Sequence, residues 1–194
     1  MSTFNGWTIV PLPAYPPCPK SIEWQLDEVV GAAPSPFSRQ QQAYDWQQSQ
    51  LKASVSYPFM PNAIARPWRV ALMLLRGKLN VFQLGDPLNL GPQNAGAAAG
   101  TVTGSGQTGY ALITSSSGLL PGDWIQLGLR LHHVTSVGGG NLTIWPPIRE
   151  SPVDGTALTI ANTRGLFRLT KNSTKIIVDE ERFSSITFEI EEAL

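Results

Sequence analysis

At 194 residues with 42% hydrophobic side chains, the chain can bury a real core, either as one domain or as a domain carrying a smaller one. Fourteen Lys and Arg balance fourteen Asp and Glu, and charged residues reach only 14% against roughly 25% in an ordinary soluble domain, so no charge excess draws a polyanion and nucleic acid is not an expected partner. Cys18 is the single cysteine, which excludes an intramolecular disulfide and a cysteine-based zinc cluster.

The opening stretch "MSTFNGWTIVPLPAYPP" lacks the basic and apolar regions of a signal peptide, and no segment approaches a membrane span; the expectation is synthesis in a cytoplasm and no membrane partner. Ile22, Trp24 and Leu26 then alternate with Glu23, Gln25 and Asp27, which predicts a half-buried strand. "GAAPSPFSRQQQAYDWQ" reads as a loop punctuated by Pro34 and Pro36. After it, Leu51, Ala53, Val55 and Tyr57 alternate with Lys52, Ser54 and Ser56 as a second strand with one wet face.

One helix is predicted near 62–76, because Ile64, Trp68, Ala71, Leu72 and Leu75 share a stripe at helical spacing. Pro67 leaves two possible starts, near Arg66 with the proline at the first position or at Asn62 with a disturbed first turn. Gly77 is the expected left-handed cap. "LNVFQLGDP" follows as a short strand and turn.

Residues 91–118 hold seven glycines and few large side chains. Beyond them come Ile125, Leu127, Leu129 and Leu131 in alternation, "NLTIW", "ALTIAN" and "LFRLT", short strands spaced by glycine turns that suggest a small barrel. "SITFEIEEAL" closes the chain with Ile186, Phe188 and Ile190 on one face. The expected fold class is therefore mainly β with one packed α-helix. Residues 1–87 and 164–194 form a discontinuous β-sandwich or barrel domain, and 88–163 an inserted small β-barrel that should be removable without unfolding the rest.

"TGSGQTGYAL" carries Gly104, Gly106 and Gly109 in a G-x-G-x-x-G spacing, but no strand precedes it, Gly118 and Pro121 break the chain before a helix could follow, and no acid follows about 20 residues on at the end of a second strand; a glycine-rich loop is the preferred reading. His132 and His133, adjacent on a strand, point to opposite faces and cannot chelate one metal; one is expected at the barrel surface and the other partly buried. Asp86, Asp123, Asp154 and Glu150 lie in turn settings where a carboxylate bonds backbone N–H groups. No catalytic residue, cofactor or metal site is predicted. Of six tryptophans, Trp24 and Trp68 share apolar phases, while Trp124 and Trp145 could stack on a ligand if exposed on the inserted barrel.

The order "SPF" (35–37), "Q..YDWQ" (42–47), "ALMLLRGK" (71–78), "FQLGDP" (82–87), "GSGQTG" (104–109), "LLPGDWIQLG" (119–128), "LTIWPPIRESPVDGT" (142–156) and "GLFRLT" (165–170) resembles a family of tail proteins of long-tailed phages and prophages. The likeness runs from about residue 24 to the C-terminus; "GDWIQLG" and "WPPIRESPVDG" are its most specific pieces, and the N-terminal proline stretch departs from it. It implies a distal tail protein: a virion structural protein of the tail tip, not an enzyme, made in the host cytoplasm. Such a protein forms a homo-hexameric ring between the tail tube protein and the hub or fibre proteins of the adsorption apparatus, and in some members carries an oligonucleotide/oligosaccharide-binding-like (OB-like) inserted barrel. A carbohydrate- or protein-binding module without ring formation is the alternative. In a ring, Glu189 and Glu191 are expected either to line the opening or to meet Arg66, Arg69, Arg76 or Lys78 of a neighbouring helix.

Overall fold

The computed structural model describes residues 2–14, 18–46, 48–178 and 183–193. Their elements in chain order begin with β1 (Thr3–Phe4), β2 (Trp7–Thr8), β3 (Ser21–Asp27), β4 (Val30–Pro34), β5 (Gln41–Asp45) and β6 (Gln50–Pro61), followed by α1 (Asn62–Leu75) and β7 (Phe82–Leu84). Next come β8 (Gly109–Ile113), β9 (Trp124–Leu127), β10 (Arg130–Gly138), β11 (Asn141–Ile148) and β12 (Leu158–Thr159), and finally β13 (Gly165–Leu169), β14 (Lys175–Val178) and β15 (Phe183–Glu192). The protein is mainly β, with one helix among the described residues.

Two larger sheets divide these strands. One runs β3-β6-β15-β13-β7, with β14 also paired to β15; the other runs β12-β9-β10-β11-β8. The first joins strands from both chain ends because Leu51, Ala53, Val55 and Tyr57 on β6 and Ile186, Phe188 and Ile190 on β15 all turn one buried face to α1. There Trp68 lies 4.2 Å from the Tyr57 ring and 6.5 Å from that of Phe188. The helix begins at Asn62 with Pro67 inside it, and its left-handed cap is Arg76 (φ 50°), followed by Gly77, also left-handed at φ 65°. The cap thus starts one residue earlier than expected of Gly77 alone.

The second sheet is built wholly from residues 109–159 and has its own cluster, centred on Leu112, Ile125, Val134 and Ile144. It leaves and rejoins the first sheet at adjacent points, since Leu84 pairs with Gly165. No sheet among the described residues closes as a continuous ladder. Segment 100–103 nevertheless bonds both edges of the second sheet: Val102 N–H to Thr156 O at 2.8 Å on one side and Thr103 N–H to Ile113 O at 2.9 Å on the other. In β11 the register shifts between Thr143 and Ile148, where Pro146 and Pro147 have no N–H to offer β8.

The two sheets share a core. Trp124, Leu131 and Trp145 of the second sheet sit in the same buried cluster as Trp68, Phe167 and Phe188, and Trp24 packs against it with ring centroids 5.5 Å from Trp124 and 5.9 Å from Phe167. Removing residues 88–163 would therefore take three buried side chains out of the main core.

A candidate interaction arm and its anchor

Residues 28–49, which connect β3 to β6, do not form the predicted loop. The β3–β6 ladder ends at Asp27 opposite Gln50, and the chain continues outward as a separate two-stranded sheet in which Val30 pairs with Asp45 and Pro34 with Gln41. At its tip the Ser35 hydroxyl accepts the N–H of Phe37 and Ser38, and Arg39 takes a left-handed φ of 57°. Five residues per strand project it by about 17 Å. Every residue of β4 and β5 except half-buried Gly31 is exposed, and so are Phe37 (97%), Tyr44 and Trp46 (64%). No side chain of residues 28–46 belongs to a buried cluster of the described residues, so a hairpin of this size gains no stability from a core.

The root of this arm is held by polar contacts to both sheets. Glu28 accepts hydrogen bonds from the Ser49 hydroxyl and from the Trp145 indole N–H. The Tyr110 hydroxyl donates to Asp45 at 2.9 Å, and Arg149 donates to the Ser49 carbonyl. Lys52 pairs with Asp27 on the last rung of the ladder, and holds that carboxyl below its ordinary range. Asp27, Glu28 and Asp45, three carboxylates at one hinge, are thus each spoken for by a donor, and they fix the direction in which the arm leaves the body.

The helix presents a second apolar surface. Val70, Met73 and Leu74 are exposed on its outer side, and Leu79 continues the patch. Arg66 and Arg76 are exposed beside it.

The side chains singled out from sequence take other places than expected. Trp124 and Trp145 are 4% and 9% exposed, so neither can stack on a ligand: the Trp124 ring lies against His133 with centroids 3.4 Å apart, and Trp145 faces Glu28. Of the acid–base pairs expected between neighbours, only Lys78 with Glu191 is seen within one chain, and Glu189 and Arg69 have other partners there. Glu189 binds Lys171 at 2.8 Å, which lowers its pKa, Glu191 lies 3.9 Å from Lys78, and Arg69 donates to the Ser184 hydroxyl at 2.8 Å. β15 is an interior strand of its sheet, between β6 and β13.

Of the two histidines, His132 is buried and His133 half-buried, so neither is the surface residue expected. His132 Nδ1 lies 2.7 Å from the Pro146 carbonyl, and desolvation lowers its pKa to about 4. Three of the four turn carboxylates bond backbone N–H groups: Asp86 accepts from Leu88 two residues on, as expected, while Asp123 accepts from Leu120 and the distant Gln93, and Asp154 from the distant Gly104. That last bond, with φ near +80° at Gly104, Gly106 and Gly109, makes the glycine motif a loop tied across to 154 that leads into a strand, not a helix.

No model of a known protein family matches the chain, and no curated protein matches it.

Proposed function

We propose that this protein is a structural component of a phage tail tip, assembling through self-association into a ring between the tail tube and the adsorption apparatus, with the 28–46 arm as the element that reaches the next copy. The arm carries the reading: a two-stranded sheet exposed on both faces, with Phe37 at its tip and Tyr44 and Trp46 exposed along it, joins no buried apolar cluster of the described residues. The apolar outer side of α1, at Val70, Met73 and Leu74, is the complementary surface that a neighbour's arm would cover. Low surface charge and carboxylates tied into turns and hinges agree with a protein that works by contact rather than by chemistry. The resemblance supplies the tail-tip setting and the hexameric count; in the same reading residues 88–163 are the inserted unit, closed into a barrel by segment 100–103.

The test is oligomeric state. Mass photometry and negative-stain images of the full chain are expected to give closed rings, and replacing residues 30–45 by a short Gly-Ser linker is expected to give a folded monomer by circular dichroism. A full chain that stays monomeric at tens of micromolar would overturn the proposal.

A further inference from the structure

The alternation of β15 continues one step past Ile190, which carries Glu192 into the buried phase. Its residue is only 6% exposed. One carboxylate oxygen, Oε1, lies 3.5 Å from Arg130 Nη1; the Leu51 backbone N–H also faces the carboxylate, and the second oxygen, Oε2, is buried without a hydrogen bond of regular geometry. A buried acceptor without a donor costs free energy unless something supplies one. Glu192 lines a cavity of about 330 Å³, in the size range of small-ligand sites.

The polar groups around this cavity alternate in kind. Arg130 and Arg149 can only donate. Glu192 Oε2 accepts, and His132 accepts as well: its Nδ1 must carry the proton to bond the Pro146 carbonyl, so the neutral ring has only an acceptor at Nε2. Between them, Leu127, Leu129, Pro147 and Ile148 form an apolar wall, and Phe4 adds an aromatic ring. Arg130 and Arg149 stand against Glu192 and Glu150 in the lining, so neither sign is in excess to select a cation or an anion, and the hydroxyls of Ser151 and Thr156 add groups that both donate and accept. What satisfies adjacent donors and acceptors on one small body is a set of neighbouring hydroxyls, each of which both donates and accepts, on a ring whose C–H face meets the apolar wall. We infer that this cavity binds a neutral polyhydroxylated ring, a monosaccharide unit, with Glu192 accepting from one of its hydroxyls and Arg130 and Arg149 donating to others. Burial pushes the Glu192 carboxyl above its ordinary range against the pull of Arg130 and Arg149, as expected of an acid awaiting a neutral partner. This inference does not depend on ring assembly, and Trp124 and Trp145 take no part in it.

Saturation-transfer NMR on the full chain tests it with four neutral probes, D-glucose, D-galactose, D-mannose and N-acetyl-D-glucosamine, and two charged controls, D-glucosamine and D-glucuronate, each at millimolar concentration. At least one neutral probe is expected to give a signal. Two variants locate it. Val153→Trp fills the mouth from a residue 74% exposed on the cavity wall and should abolish the signal without altering the fold. Glu192→Gln, which keeps the shape and replaces one acceptor oxygen, should weaken binding by about tenfold, the loss of one buried hydrogen bond. Methyl glycosides separate the sources: retained binding points to a terminal sugar of a glycan, binding of the free reducing sugar alone to a free monosaccharide. No signal from any probe, a signal unchanged in folded Val153→Trp, or tighter binding of glucosamine or glucuronate than of the neutral sugars would overturn the inference.

Discussion

Trp145 donates its indole N–H to Glu28, a residue 117 positions away in the chain. The bond joins β11 of the second sheet to the root of the projecting arm, at the point where Ser49 and Arg149 also meet. Trp145→Phe keeps an aromatic ring in the core but deletes this donor. The expected cost is about 1–2 kcal/mol in denaturant unfolding, since Glu28 keeps Ser49 as a partner. Proteolysis should speed up at the arm root, and an unchanged cleavage pattern would show that the bond does not hold the arm.

The close approach where the chain leaves and rejoins the first sheet gives a steric prediction. A Cβ on Gly85 would stand 2.0 Å from the Thr163 carbonyl oxygen, whereas one on Gly91 would meet nothing within 4 Å. Gly85→Ala is expected to destabilise by about 3 kcal/mol or to prevent folding, as overpacking against backbone does, and Gly91→Ala to leave the midpoint unchanged. Equal midpoints would mean that the crossing relaxes freely.

His132 binds its proton at about 4 in the folded chain, against an ordinary value of 6.5, because burial and the nearby Arg130 and Arg149 disfavour the cation. Between those values the unfolded chain holds more protons, so stability is full above pH 6.5 and falls as the pH drops toward 4, by ~3 kcal/mol. Glu192 works in the opposite sense, its raised pKa removing stability as the pH rises above its ordinary 4.5. His132→Asn, whose amide can still donate to Pro146 O, should remove the histidine slope in a pH series of thermal melts and leave the glutamate slope of opposite sign. A series unchanged by the substitution would contradict a buried neutral imidazole.

Excision of residues 90–162 tests the shared core. Joining the ends is entropically cheap because Leu84 and Gly165 are already paired. The cut nevertheless strips Trp124, Leu131 and Trp145 from the cluster that holds Phe167 and against which Trp24 packs. The product is expected to bind a hydrophobic dye and to melt with low cooperativity. A sharp transition without dye binding would show that the first sheet repacks on its own.

Much of this was legible because pleat and helical turn impose their periods locally. Leu51, Ala53, Val55 and Tyr57 on β6, Ile186, Phe188 and Ile190 on β15, and Trp68, Ala71, Leu72 and Leu75 on α1 are buried as their spacing requires. The same alternation, carried two residues beyond Ile190, already marked Glu192 as an inward acid, a signal that its neighbours Glu189 and Glu191 obscured. The arm was not legible, since strands that bury neither face carry no period-2 pattern, and Pro34 and Pro36 make such a stretch look like loop.

The sequence by itself determined which residues turn inward, because that depends on neighbours one to four positions away. Which inward faces meet was decided only by the tertiary structure. Trp124 and Trp145 are apolar wherever they stand, but whether they face solvent or Trp24 and Glu28 depends on how one sheet leans on the other. In the same way Lys78 finds Glu191 in its own chain because α1 and β15 pack together, a relation between distant segments that no local spacing encodes.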